Sequence, residues 1–368
     1  MNNLIYLSPG KISHYDHTLR YDDYVYRDWF NIPLNGAPNF FSSRVHDINA
    51  PWPLAPTLFP MPNPAPVNET FENVMDFISD EYCSKWVAHK RTPYLYWSGG
   101  VDSTSILVGL LKNGSKEFLD HLVILLNRAS IDENSYFYYR HIDGKLKVED
   151  ADKFEITLDN HNHIDVLDGD VGNQCIGETT IYSLAYTNQF QLLDDPWNDQ
   201  FLDRIGFKNV TLRNIVSEST RYAPVDIRTG FDYLWWMNFN CKFADVLLNK
   251  CTAHFKNIDA GQRKQFFKTN LNRFYQHSKM QSWSLSSADI RREKLKITQK
   301  YHPKKYIYDF DKNDLWFSSK IEFRSGWYQI VQHTRKEKTI FAIDADWNFY
   351  SMDDAQTRRE LGKILKKF

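Results

Sequence analysis

Eight consecutive residues carry the strongest chemical signal in this chain: Trp97-Ser98-Gly99-Gly100-Val101-Asp102-Ser103-Thr104. The two glycines allow backbone N–H groups to approach an anion without a Cβ in the way. The three hydroxyls of Ser98, Ser103 and Thr104 are further donors. A carboxylate beside such donors is out of place on phosphate unless it holds a divalent cation, so Asp102 implies Mg²⁺. The lysine of the G-x-x-x-x-G-K-[ST] loop is missing, and the glycine spacing is not that of a dinucleotide fold.

This run needs a strand before it and a helix after it. Tyr94-Leu95-Tyr96-Trp97 reads as a short buried strand, 103–112 as a helix and 121–127 as a second strand. Strand, helix and strand of these lengths make a βαβ unit and hence a parallel sheet. A helix is expected over 69–88, and 164–167 reads as another strand. Helices are expected over 175–193, 231–248, 260–276, 287–300 and 353–366, with short strands over 326–349. Seven of the fourteen prolines fall in 51–66, which reads as an extended connector. The expected organisation is an N-terminal segment over 1–66, a main domain over 67–330 and a small C-terminal addition over 331–368.

In its setting, S-G-G-x-D-S resembles the loop of the PP-loop ATP pyrophosphatases. The resemblance implies an α/β fold with a parallel sheet flanked by helices, a largely helical C-terminal half, and ATP cleaved between its α and β phosphates. Ser98, Gly99, Gly100, Val101, Asp102, Ser103 and Thr104 would then cradle pyrophosphate. The end of the second strand, around Asn127, would lie near adenine.

A second run, Asp168-Gly169-Asp170-Val171-Gly172-Asn173-Gln174-Cys175-Ile176-Gly177, is similar to the second loop of the asparagine synthetase and β-lactam synthetase branch. It implies that Gly169 and Asp170 join the nucleotide site. Asp102, Asp170 and Asn173 would hold the metal, with Asn173 standing where the family has aspartate. A third run, Lys320-Ile321-Glu322-Phe323-Arg324-Ser325-Gly326, resembles the family's lysine loop. It implies that Lys320, with Lys312 as runner-up, offsets charge on an adenylate. Position 2 is Asn2 and no cysteine precedes Cys83. The family's glutaminase chemistry is therefore not expected, and free ammonia, ammonia from a separate partner or another amine would attack.

The implied function is an AMP- and pyrophosphate-forming ligase that joins a small-molecule or peptide carboxylate to an amine. Three alternatives stay open: a tRNA-modifying or sulfur-transferring PP-loop enzyme, a nucleotide-binding protein without turnover, and NAD-synthetase-like or argininosuccinate-like ligation, which has only the first loop behind it. Cys175, inside the second run, motivates the first alternative, and Asn173 with Gln174 the second. A net charge of −1 gives no global pull on nucleic acid. The four cysteines, Cys83, Cys175, Cys241 and Cys251, have no zinc-ligand spacing and suit a reduced, cytoplasmic chain. No window reaches the ~18 apolar residues of a membrane span.

Overall fold

The structure is a computed structural model that describes residues 4–7, 43–45, 59–66, 68–177, 181–182, 184, 187–207, 210–249, 255, 258–319, 340–344, 346–351, 355–356 and 359. The chain divides into two compact units. One comprises Pro62–Ile176 and Ala253–Arg335; the other comprises Met1–Met61, Gly177–Thr252 and Lys336–Phe368.

Eight strands are described: β1 (Leu4–Leu7), β2 (Thr92–Tyr96), β3 (Val123–Leu126), β4 (Lys147–Asp150), β5 (Ile164–Asp168), β6 (Leu271–Arg273), β7 (Ile340–Asp344) and β8 (Phe349–Ser351). In the first unit β4, β3, β2, β5 and β6 form, in that order, a fully parallel five-stranded sheet. The chain runs outward from β2 through β3 to β4, then returns to the other side of β2 as β5. The strand order thus reverses between β2 and β5, and the C-terminal ends of these two strands flank a crevice.

Helices sit where the apolar spacing puts them. The first, α1 (Phe71–His89), starts at Thr70, whose side chain accepts from the Asn73 N–H, and buries Phe71, Val74, Met75, Ile78 and Trp86. It ends at Lys90 in the left-handed region, which turns the chain into β2. Next, α2 (Val101–Asn113) is buried along nearly its whole length, with Ile106, Leu107, Val108 and Leu110 inaccessible. At Gly109 an added Cβ would lie 2.1 Å from Ser79 Oγ, so the missing side chain lets α2 lie close against α1. Two short helices follow, α3 (Lys116–His121) and α4 (Arg128–Glu133). After β5 comes α5 (Gly172–Ile176), and α6 (Ala260–Thr269) leads into β6.

Four expectations need correction. The 287–300 helix stops at Leu295, where the Lys296 N–H donates to Glu293 O and the chain turns. The 260–276 stretch is not one helix. Asn270 ends α6 by donating its N–H to Phe266 O, while its amide Nδ2 donates to His161 O and Ile164 O. Its carbonyl accepts from the Val166 N–H, so the next three residues join the sheet as β6. The 121–127 strand starts only at Val123, because Ser115 caps α3 and that helix runs to His121. The 175–193 stretch is not one helix: α5 ends at Ile176, residues 181, 182 and 184 are helical, the chain turns at 187–190, and a four-residue helix follows at Gln191–Asp194. Elements not anticipated include β4, α3, α4 and the helices Asp199–Arg204, Val210–Ser219, Ser278–Ser286, Tyr301–Asp311 and Asp314–Ser319.

The second unit pairs β1, β7 and β8 into an antiparallel sheet. Its largest helix runs through Gly230–Trp236, a π segment at Met237–Lys242 and Phe243–Asn249. The expected 231–248 helix is thus present, with a wider turn in its middle. Buried Arg44 holds this unit together. Its guanidinium lies 3.9 Å from the Phe243 ring centroid and donates to the carbonyls of Phe59 and Pro60. Most of the expected 353–366 helix lies outside the described residues.

Candidate functional site

The first glycine run leaves β2 at Tyr96 and opens α2. Trp97 anchors it: the backbone N–H donates to Leu125 O on β3, and the buried indole donates to Thr104 Oγ1 at 3.0 Å. That hydroxyl therefore serves the shape of the loop. Ser98 N–H donates to Ser103 Oγ at 3.1 Å, and Gly100 N–H donates to Ser98 Oγ at 3.3 Å. The two serine hydroxyls lie 3.1 Å apart.

Gly99 sits at φ +75°, where a Cβ would meet Ser130 O at 2.3 Å and Glu133 Cβ at 2.8 Å. Backbone conformation and the closeness of α4 both require glycine here. Gly100 is the N-cap of α2 and contributes no side-chain cap. The 13-residue α2 therefore presents its first-turn N–H groups, Val101 among them, at the C-terminal end of the sheet.

The second run leaves β5 on the adjacent strand and meets the first. A Cβ on Gly172 would lie 2.6 Å from both Cγ and Oδ2 of Asp102. One on Gly169 would lie 3.2 Å from the Ser103 N–H nitrogen. Both glycines thus make room for the start of α2. Between them Val171 takes the left-handed region at φ +60°, unusual for a β-branched residue. Asp168 Oδ1 accepts from the Asp170 N–H at 3.1 Å, and Arg273 on β6 stands 4.0 Å from Asp168 Oδ2. Asp170 is buried, and Asn173 lies in the first turn of α5 immediately after Gly172.

Sequence reasoning missed one residue in this crevice. Lys300 Nζ lies 2.7 Å from Asp102 Oδ2, with side-chain exposures of 1% and 14%. Lys300 precedes α7 (Tyr301–Asp311; the helix over 278–286 is treated below) in the left-handed region at φ 48°. Its backbone carbonyl accepts from the N–H of buried Lys304. No motif flags it, because the contact joins residues 198 positions apart. The only available signal is a lysine just before a helix whose first turn holds Pro303.

The remaining expected residues are distributed differently. Asn127 follows β3 and caps α4: its Oδ1 accepts from the Ser130 N–H and its Nδ2 donates to Asp152. It stands at the same end of the sheet as the glycine runs, on the strand next to β2. Lys312 ends α7 in the left-handed region and pairs with Asp309 at the surface, so it serves as a cap. Lys320 lies outside the described residues.

Cys175 is inaccessible, and its thiol donates to Tyr275 O at 3.3 Å. Tyr275 in turn ties this region to α2, with its hydroxyl 2.6 Å from Ser105 Oγ. Burial pushes the Cys83 and Cys241 thiols up to about 12. The described cysteines therefore behave as packing residues.

Among the described residues no three His, Cys, Asp or Glu side chains gather into a metal cage. Mg²⁺ characteristically takes one or two carboxylates and completes its shell with water and substrate phosphate. The setting of Asp102, in the first turn of α2 against Gly172, fits that mode. Among the described residues no helix is long and apolar enough to cross a membrane. Comparison with protein-family models, curated proteins and solved structures gives no match.

Proposed function

We propose that this chain is a PP-loop ATP pyrophosphatase that adenylates a carboxylate and passes the acyl group to an amine. One observation carries the reading. The two glycine runs, distant in sequence, meet at the strand-order reversal between β2 and β5, with the Asp102 carboxylate seated against Gly172. Open parallel sheets bind ligands at such a reversal, and a helix N-terminus beside glycines suits phosphate.

In this reading the N–H groups of Gly99, Gly100 and Val101 and the hydroxyls of Ser98 and Ser103 grip the β and γ phosphates. Asp102, with Asp170 and Asn173 close behind in the second run, would hold Mg²⁺, which offsets charge on the leaving pyrophosphate. Gly169 leaves the Ser103 N–H accessible to the same anion. Lys300 brings a further positive charge to the cradle. A substrate carboxylate forms a bond to the α phosphorus as the α–β bridge breaks, and pyrophosphate leaves. The amine then bonds to the acyl carbon, AMP leaves, and one proton is lost from nitrogen. Asn127 would border the base, and Lys320 would stabilise the second step. The amine comes from free ammonia, from a partner that supplies ammonia, or from the substrate itself.

The test is product analysis with ATP labelled at the γ position, Mg²⁺ and pooled carboxylates and amines. Labelled pyrophosphate with AMP, lost in Asp102→Ala, is the expected result. ADP with labelled phosphate would overturn the reading.

A further inference from the structure

Asp102 has two close neighbours that constrain what else it can hold. On one side lies Gly172, where an added Cβ would come within 2.6 Å of the carboxylate. On the other, Lys300 Nζ sits 2.7 Å from Oδ2, and the lysine side chain is almost wholly shielded from water. The ammonium is not a loose surface charge. Its backbone is fixed in the left-handed region at the start of α7, and its carbonyl receives the Lys304 N–H. That helix is held in turn: the Tyr306 hydroxyl donates to Asp76 on α1, and Lys112 on α2 lies 4.4 Å from the Tyr306 ring centroid. Lys300 therefore arrives at Asp102 on a rigid support.

We propose that Lys300 is a positioning residue that reserves the Asp102 carboxylate, so that the divalent cation is admitted only together with the polyphosphate. This rests on the nucleotide reading above. An ammonium and a divalent cation compete for the same carboxylate oxygen. A metal arriving alone would place three positive charges around one carboxylate in a shielded site, where repulsion is poorly screened. A metal arriving with a triphosphate brings its own negative charge and gives the ammonium a second anion to face. The order of binding follows from this charge balance. Free metal is excluded, and nucleotide and metal enter as a complex.

The experiment titrates Mn²⁺ alone into the nucleotide-free, full-length protein, following free Mn²⁺ by its electron paramagnetic resonance. It is repeated with a non-hydrolysable ATP analogue against a protein-free blank, since the analogue itself binds Mn²⁺, and uptake means the loss of free Mn²⁺ beyond that blank. Lys300→Met keeps the side-chain volume without the charge, and Lys300→Arg keeps the charge. Lys300→Met should bind Mn²⁺ alone on the order of ten-fold or more tightly than the wild type, the scale of one removed neighbouring charge. Lys300→Arg should stay as weak as the wild type. Adding Asp102→Asn to Lys300→Met should erase the gain.

Wild type that takes up Mn²⁺ alone as tightly as Lys300→Met overturns the proposal. So does a gain that survives Asp102→Asn. Should Lys300→Met fail to fold, the wild type decides alone: equal metal uptake with and without the analogue overturns the proposal, and uptake only with the analogue supports it. A gain in Lys300→Met with no effect of the analogue on either protein removes the nucleotide reading and overturns the coupled entry proposed here, leaving only a block on free metal.

Discussion

Arg273 and Asp168 face each other across neighbouring strands, 4.0 Å apart, with side-chain exposures of 1% and 5%. The pair joins the edge strand β6 to the residue from which the second glycine run departs. Arg273 also lies 4.3 Å from the Phe267 ring centroid. Removing the guanidinium takes a positive charge from beside a buried carboxylate. Arg273→Met should therefore destabilise the fold by about 3–5 kcal/mol. Urea unfolding reads this directly; a loss below about 1 kcal/mol, the value of an exposed pair, would show that the pair is not what anchors the run.

Gly172 offers a sharper test of the site. A methyl group there would collide with the Asp102 carboxylate at 2.6 Å. Gly172→Ala should displace Asp102 and abolish metal-dependent nucleotide binding. The control is Gly144→Ala, where φ is +65° but no atom lies within 4 Å of the added Cβ. That change should cost about 1–2 kcal/mol of backbone strain and leave binding intact. Calorimetric titration of Mg²⁺ and ATP into both variants separates the two effects.

Alongside His141, which burial also pulls to about 4, part of the acid sensitivity should trace to His302. Its ring packs against Trp283, Phe71 and Tyr301, and its Nε2 finds no hydrogen-bond partner among the described residues. Burial first, then the charges of Arg291 and Lys294, pulls it from 6.5 to about 4. The folded state thus keeps this ring neutral, while the unfolded chain takes up a proton below 6.5. Stability should be unaffected by this group above that pH and fall as pH drops from 6.5 towards 4, by about 3 kcal/mol in all. In His302→Phe the fall should be shallower by that amount, as measured by unfolding midpoints between pH 4 and 7.

Cys175 distinguishes amide formation from sulfur transfer. Its thiol is inaccessible and engaged with Tyr275 O. Cys175→Ser keeps a donor of similar size and should keep AMP and pyrophosphate production within about two-fold, a range that one retained hydrogen bond allows. Loss of turnover in a folded Cys175→Ser protein would point to sulfur chemistry instead.

The parts of the site that were legible in the sequence are those written in local chemistry. Gly99 and Gly100 between an apolar run and STSILVGLLK announce a strand, a turn and a helix without any tertiary knowledge. Asp168 to Gly172 does the same more weakly. By contrast β4, Lys-Val-Glu-Asp, is an exposed edge strand with no apolar run to read. In β6, three residues follow a helical pattern without a proline or glycine to mark the change; the break comes from the Asn270 amide reaching His161 and Ile164. Lys300 was invisible for a deeper reason. Its role depends on two segments meeting, and a lone lysine carries no local signal of that meeting. The helix over 278–286 shows the same point: its Ser284 hydroxyl donates to Cys175 O, a link that no spacing rule encodes.

The division of the chain also sets an order of assembly. Strand β1 lies near the start of the sequence and pairs with β7, whose register matches Leu4 to Asp344. During synthesis β1 emerges long before its partner exists. The small antiparallel sheet can close only after β7, 340 residues beyond its partner position in β1, has left the ribosome. Contacts this remote in sequence form late because the intervening chain must first lose its freedom. Until then β1 keeps an open strand edge, which is where a chaperone or a neighbouring nascent chain would first take hold.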